Sequence, residues 1–174
     1  MPPETPTRPA AGLRPVVGFD ADGGCFGCGA DNPAGLKMTF ETDGSSLYAD
    51  LSVPPHLCGW RQIVHGGVLA TILDEIMSWT AINLLQRLIL TKSMTVSYHR
   101  SVPILTPLQV EGRVARRTGD REAVVEAAIY GPEGRLSTAA EGVFALFTPA
   151  DARRRRLLPE AVLARFEGFV AGKR

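Results

Sequence analysis

The stretch HGGVLATILDEIMSWTAI, His65 to Ile82, decides the fold. It opens on a histidine and two glycines and then stays apolar for about five helical turns. Between Gly66 and Gln86 the only ionisable side chains are Asp74 and Glu75. A helix apolar almost all round belongs in a core, and a carboxylate there is costly unless it is paired or used. At about 100° per residue, Gly67, Ala70, Thr71, Asp74, Ser78 and Ala81 share one small, polar stripe suited to a pocket or a close interface. Glu75 falls instead with Val68, Ile72, Trp79 and Ile82. Asp74 is therefore the candidate catalytic acid, and Glu75 reads as a structural or interface acid. The first N–H groups of such a helix have no intrahelical partner, so its start is a ready place for an anionic oxygen.

Strand patterns flank this helix. Upstream, alternation begins at Leu36-Lys-Met-Thr-Phe, Asp43-Gly44 signals a hairpin, and Leu47 to Val53 is the return strand, ended by Pro54-Pro55. Downstream, Thr91 to Val102, Gln109 to Arg117, Glu122 to Tyr130 and Arg135 to Phe147 read as four strands separated by Pro- and Gly-containing turns. The order β-β-α-β-β-β-β predicts an α+β domain in which one long helix covers an antiparallel sheet of about six strands.

Length and composition agree with this. A chain of 174 residues with 45% apolar residues is long enough for one sizeable core. A net charge of +1 gives no reason to expect nucleic acid. Asp74-Glu75 interrupts the longest apolar run, so no membrane span is expected. The start, MPPETPTRPAAGLRP, lacks the apolar core of a signal peptide. Three cysteines do not read as a secreted disulfide framework, and a cytoplasmic location with reduced thiols is expected. Residues 1–24, with five prolines, read as a mobile or surface-draped tail. Residues 25–150 read as the folded domain. Residues 151–174 read as a basic segment, Arg153 to Arg156, followed by a short amphipathic helix (Leu163, Phe166, Val170).

The motifs in combination resemble the hotdog-fold acyl-CoA thioesterases, specifically the phenylacetate-pathway (PaaI-like) type, over about Cys25 to Phe147. Three stretches carry the resemblance: His65-Gly-Gly with Asp74 nine positions later, Cys25-Phe-Gly-Cys-Gly with Asn32-Pro33 and Gly35-Leu36, and the strand Thr91 to Arg100. Ser101 stands where that family commonly has proline, and Gly59-Trp-Arg-Gln62 precedes the histidine.

The resemblance implies hydrolysis of an acyl-CoA thioester by a homodimer, or a dimer of dimers, with shared sites. It gives Asp74 the role of base or nucleophile, Gly66 that of oxyanion donor, and Thr91 that of assisting the acid or its water. His65 is a candidate base or a shaper of the helix start. Gly67 permits close approach of a neighbour. Gln62 is a candidate for polarising the thioester, and Arg61 and Arg100 for meeting the coenzyme A phosphates. Met77 and Trp79 are candidates for setting pocket depth.

No metal or cofactor is implied beyond the coenzyme A of the substrate. Cys25, Cys28, His56 and Cys58 make a zinc set on paper, but His-x-Cys is not a usual knuckle, so no metal is expected. Two rival readings are a non-catalytic acyl-CoA-binding hotdog protein and a hotdog enoyl-thioester hydratase. The hydratase reading lacks a histidine after Asp74 in the helix.

Overall fold

The structure, a computed structural model, describes residues 5–18 and 23–172. Of the tail expected over residues 1–24, residues 1–4 and 19–22 lie outside these, as do residues 173–174. Among the described residues the long helix is α1 (Gly66–Leu85). It starts where His65 caps it, the imidazole Nδ1 accepting the Gly67 N–H at 2.9 Å. It stops where Gln86 turns left-handed at φ 53° and its N–H returns to the Ile82 carbonyl. By length and composition α1 could cross a membrane; here a sheet curls round it.

Among the described residues that sheet has seven strands. The short strands β1 (Arg14–Pro15) and β2 (Glu41–Thr42) lead to β3 (Ser46–Leu51). After the hairpin β4 (Cys58–Trp60) and β5 (Ile63–Val64) and the helix come β6 (Leu88–Tyr98), β7 (Leu108–Thr118), β8 (Glu122–Tyr130) and β9 (Leu136–Phe147). The spatial order is β1-β2-β3-β7-β8-β9-β6, every pair antiparallel. This is the hotdog fold, a long helix packed into a large antiparallel sheet. The expected strand over residues 36–42 forms a ladder only at Glu41–Thr42, and β6 begins at Leu88 rather than Thr91.

The core lies between α1 and the concave face of the sheet. Ile72, Leu73, Ile76 and Met77 are wholly buried there with Leu47, Val125, Ile129 and Phe144. Each such side chain stabilises the fold by about 1.5–3 kcal/mol through removal from water. The helix approaches β7 so closely that a Cβ at Gly112 would stand 2.5 Å from the buried Thr80 Oγ1, which is why that strand carries glycine at its crossing with the helix. Met77, expected near the ligand, belongs to this core.

The N-terminal residues drape the outer face. Thr7 donates its N–H to Glu111, and Arg8 pairs with Glu41 and Asp50. At the other end, α2 (Pro149–Arg155) and α3 (Glu160–Ala171) form a satellite cluster in which Leu88, Ala152, Leu163 and Phe166 are buried. The arginine run is largely spoken for: Arg153 pairs with Glu160 and Glu167, Arg154 pairs with Asp151, and Arg155 lies over the Phe147 ring.

Candidate active site

The helix start is held from two sides. His65 ties down Gly67 through Nδ1, which must be unprotonated to accept, so the ring's proton sits on Nε2. Tyr98, at the end of β6, donates its hydroxyl to the Gly66 carbonyl at 2.9 Å. The Val68 and Leu69 N–H groups return to the His65 carbonyl. The Gly66 N–H has no acceptor among the described residues, and it lies at the positive end of a 20-residue helix. A Cβ at Gly66 would meet the Tyr98 ring at an ordinary 3.6 Å, so glycine is not demanded there by space.

Two turns on, Thr91 donates its hydroxyl to Asp74 Oδ1 at 2.9 Å. The register between β6 and β9 shifts between Thr91 and Ser93. Such an irregularity is a common device for re-aiming a side chain beside a site. Asp74 is half-buried, and Thr91 is exposed. The helix pattern predicts a buried carboxylate as base or nucleophile; the single chain leaves this one half-buried. Of the predicted stripe, a single chain leaves Gly67, Ala70, Thr71, Asp74 and Ser78 partly uncovered, whereas Ala81 is wholly buried in the core.

The other acid of the helix, Glu75, is also half-buried. Burial pushes its carboxyl above the ordinary range; hydrogen bonds from Cys28 and Trp79 work against that, and the neighbouring Asp74 adds to it. Its surroundings are the cysteine loop. Trp79 Nε1 donates to Glu75 Oε1 at 3.0 Å and reaches Cys28 Sγ at 3.4 Å, and the Trp79 ring stacks on Phe40 at 5.5 Å. Trp79 is thus committed to this cluster rather than to a ligand pocket. The zinc set read on paper does not assemble: the metal-capable group among the described residues is Cys25, Cys28 and Glu75, without His56 or Cys58.

The remaining candidates lie on the rim. Arg61 occupies the β4–β5 turn at φ 40°, exposed, with Gln62 beside it; the Gln62 carbonyl accepts the Ile104 N–H. Arg100 is exposed, and its guanidinium holds the Leu136 carbonyl. The structure therefore brings Asp74 and Thr91 together and places His65, Gly66 and Gly67 at the helix start, while among the described residues no hydrogen bond or ion pair joins Arg61 or Arg100 to either group. Sequence reasoning missed the Tyr98–Gly66 bond. Its position seven residues after Thr91 on one strand carried no sign that both would face the same helix.

Residues 61–138, which hold Gly66, Asp74, Thr91 and Tyr98, match the thioesterase superfamily. Three solved structures share the fold. A thioesterase superfamily protein is 22% identical over 80% of this chain and 70% of its own, with a TM-score of 0.65. The Escherichia coli PaaI protein of the phenylacetic acid degradation operon is 18% identical over 64% and 80%, with a TM-score of 0.58. A hypothetical thioesterase protein from Streptococcus pneumoniae, crystallised with coenzyme A, is 18% identical over 59% and 79%, with a TM-score of 0.55. No curated protein matches the chain by sequence. Fold and site together define the hotdog class. The stretch that carries the site, residues 61–138, is the part of the chain that matches that superfamily.

Proposed function

We propose that this protein is a thioester hydrolase that cleaves acyl-CoA to the free acid and coenzyme A. The observation that carries the reading is the pairing of Thr91 with Asp74 on the open stripe of a helix whose first N–H, at Gly66, is unengaged. A carboxylate held by one hydroxyl keeps its other oxygen for a water. Asp74 takes a proton from that water as its oxygen bonds to the thioester carbon. The carbonyl electrons move to the oxygen, and the oxyanion is met by the Gly66 N–H and the helix dipole. Collapse of this intermediate expels the coenzyme A thiolate, which then takes up a proton. Direct attack by Asp74, giving an anhydride that water resolves, uses the same two groups. The coenzyme A in the pneumococcal thioesterase supports the choice of thiol, and Arg61 and Arg100 on the rim are the cations available to its phosphates.

The site is shared between two chains. Asp74 lies eight residues after Gly66, about 12 Å along the helix at 1.5 Å per residue. One side chain cannot span that distance to a carbon whose oxygen sits about 3 Å from the Gly66 N–H. Two α1 helices packed antiparallel about a two-fold axis bring Gly66 of one chain to Asp74 of the other. The uncovered stripe and the outer edge of β6, an edge strand with Leu90 and Tyr98 exposed, are the surfaces a second copy would cover.

The test mixes two inactive variants. Asp74→Asn removes the base and keeps its shape, and a fully active Asp74→Asn refutes the reading in favour of a non-catalytic or differently built site. Gly66→Pro removes the N–H at a first helical position, where proline is tolerated; Gly66→Ala, which keeps the N–H and fits, stays active. Co-refolding the two inactive chains restores roughly a quarter of wild-type turnover, since about half the dimers are mixed and each holds one intact site. Folded, mixed chains that recover no activity refute the shared site.

A further inference from the structure

We propose that Cys25, Cys28 and Glu75 form a binding site for one divalent cation of the zinc class, distinct from the Asp74 centre. This departs from the metal-free chain expected from the sequence. The three ligand atoms lie within 4.8 Å of one another, with Cys25 Sγ 3.9 Å from Glu75 Oε2. In a tetrahedral zinc site with bonds of about 2.3 Å to sulfur and about 2.0–2.2 Å to oxygen, neighbouring ligand atoms stand roughly 3.5–3.8 Å apart. Closing on a cation thus asks each pair to draw in by no more than about 1.3 Å.

The surroundings are built for those three atoms. The loop reaches the helix only because residue 27 is glycine: a Cβ there would stand 2.2 Å from Glu75 Oε2. Backbone bonds hold the loop in that shape, from Gly29 N–H to the Cys25 carbonyl, Leu36 N–H to Phe26 and Met38 N–H to Gly27. The Trp79 indole N–H points at both Glu75 Oε1 and Cys28 Sγ. An outer donor of this kind orients and stabilises an anionic ligand set.

Charge supplies the second argument. Three groups that ionise to anions meet in a half-buried place, and the ion pairs among the described residues bring no Lys or Arg to them. Two thiolates and a carboxylate become compatible there once a divalent cation sits between them. Sulfur donors select a soft or borderline ion, which excludes magnesium and calcium. Three protein ligands leave one position for water. The bound ion would pin the loop over residues 23–38 to the middle of α1.

The test uses the full chain, reduced and stripped with a chelator. Titration with cobalt(II) is expected to saturate at one equivalent per chain. It should produce the thiolate-to-metal charge-transfer absorption of a tetrahedral sulfur-ligated ion, which zinc then displaces. Cys28→Ser and Glu75→Gln each weaken binding by at least about tenfold. Glu75→Gln keeps the shape and an acceptor for the Trp79 N–H, so it reports on the ligand even if the serine variant folds poorly. Cys58→Ser, altering the exposed third cysteine, changes nothing. A folded wild type that gives no charge-transfer band, or a Glu75→Gln variant that binds cobalt as tightly as wild type, overturns the assignment.

Discussion

Replacing Thr91 by valine removes one hydroxyl and little else. Valine has the same branched outline and suits a strand at least as well, so β6 keeps its form. What is lost is the 2.9 Å hydrogen bond to Asp74 Oδ1. A hydrogen bond to a charged group contributes about 1.5–3 kcal/mol when well sheltered. Thr91 is exposed and Asp74 only half-buried in the single chain, so the low end applies, about 1.5 kcal/mol. The bond's role in the proposed mechanism is to hold the carboxylate in the rotamer that meets the water, so its loss is expected mainly in kcat. A change of that size lowers kcat about tenfold, with KM little altered. Steady-state release of free thiol from an acyl-CoA substrate measures both. Thr91→Ser keeps the hydroxyl and should retain most of the wild-type rate. The reasoning fails if folded Thr91→Val keeps its kcat, or if the serine variant loses as much as the valine variant.

Two further perturbations probe the scaffold. Asp43 accepts the Ser45 and Ser46 N–H groups and the Tyr48 hydroxyl across the β2–β3 turn. Burial works to raise its carboxyl, but these bonds outweigh burial and hold it below the ordinary range. Its contribution is therefore present at neutral pH and is lost as pH falls through the carboxylate range. Asp43→Asn should cost under about 1 kcal/mol at pH 7, given the exposure of the turn. The difference from wild type should shrink as pH falls in chemical denaturation, and a gap that is constant with pH would count against this account. Gly112→Ala places a Cβ against Thr80 Oγ1 in the tightest helix–sheet contact. Overpacking of this kind costs about 1–3 kcal/mol, which calorimetry should register as a Tm lower by about 2–10 °C. An unchanged Tm would mean that α1 can lift off β7 freely.

The central helix and its place in the core were legible in the chain itself, because an apolar run of this length has nowhere else to go. The Asp74 stripe was legible too, since helical phase alone groups Gly67, Thr71 and Asp74. The segments after Pro107 gave β7, β8 and β9 nearly to the residue, for the Gly-containing turns that bound them are local signals. Partnerships between distant segments were not legible. Only the family resemblance tied Thr91 to the acid, and nothing in Tyr98 says that the same edge strand lays its hydroxyl on Gly66. Nor does Cys-x-x-Cys say that its third group is Glu75, 47 residues beyond Cys28 in the chain. The sequence alone suggested His56 and Cys58, which are nearer in spacing and chemistry. The tertiary fold decided otherwise, because closing the loop over α1 depends on a missing side chain at Gly27 and on where the helix presents its acids. The degree of burial was also decided there: period assigns a residue to a face, but the sheet determines which face it covers. It buried the Glu75 side beneath the cysteine loop and left the Asp74 side half open.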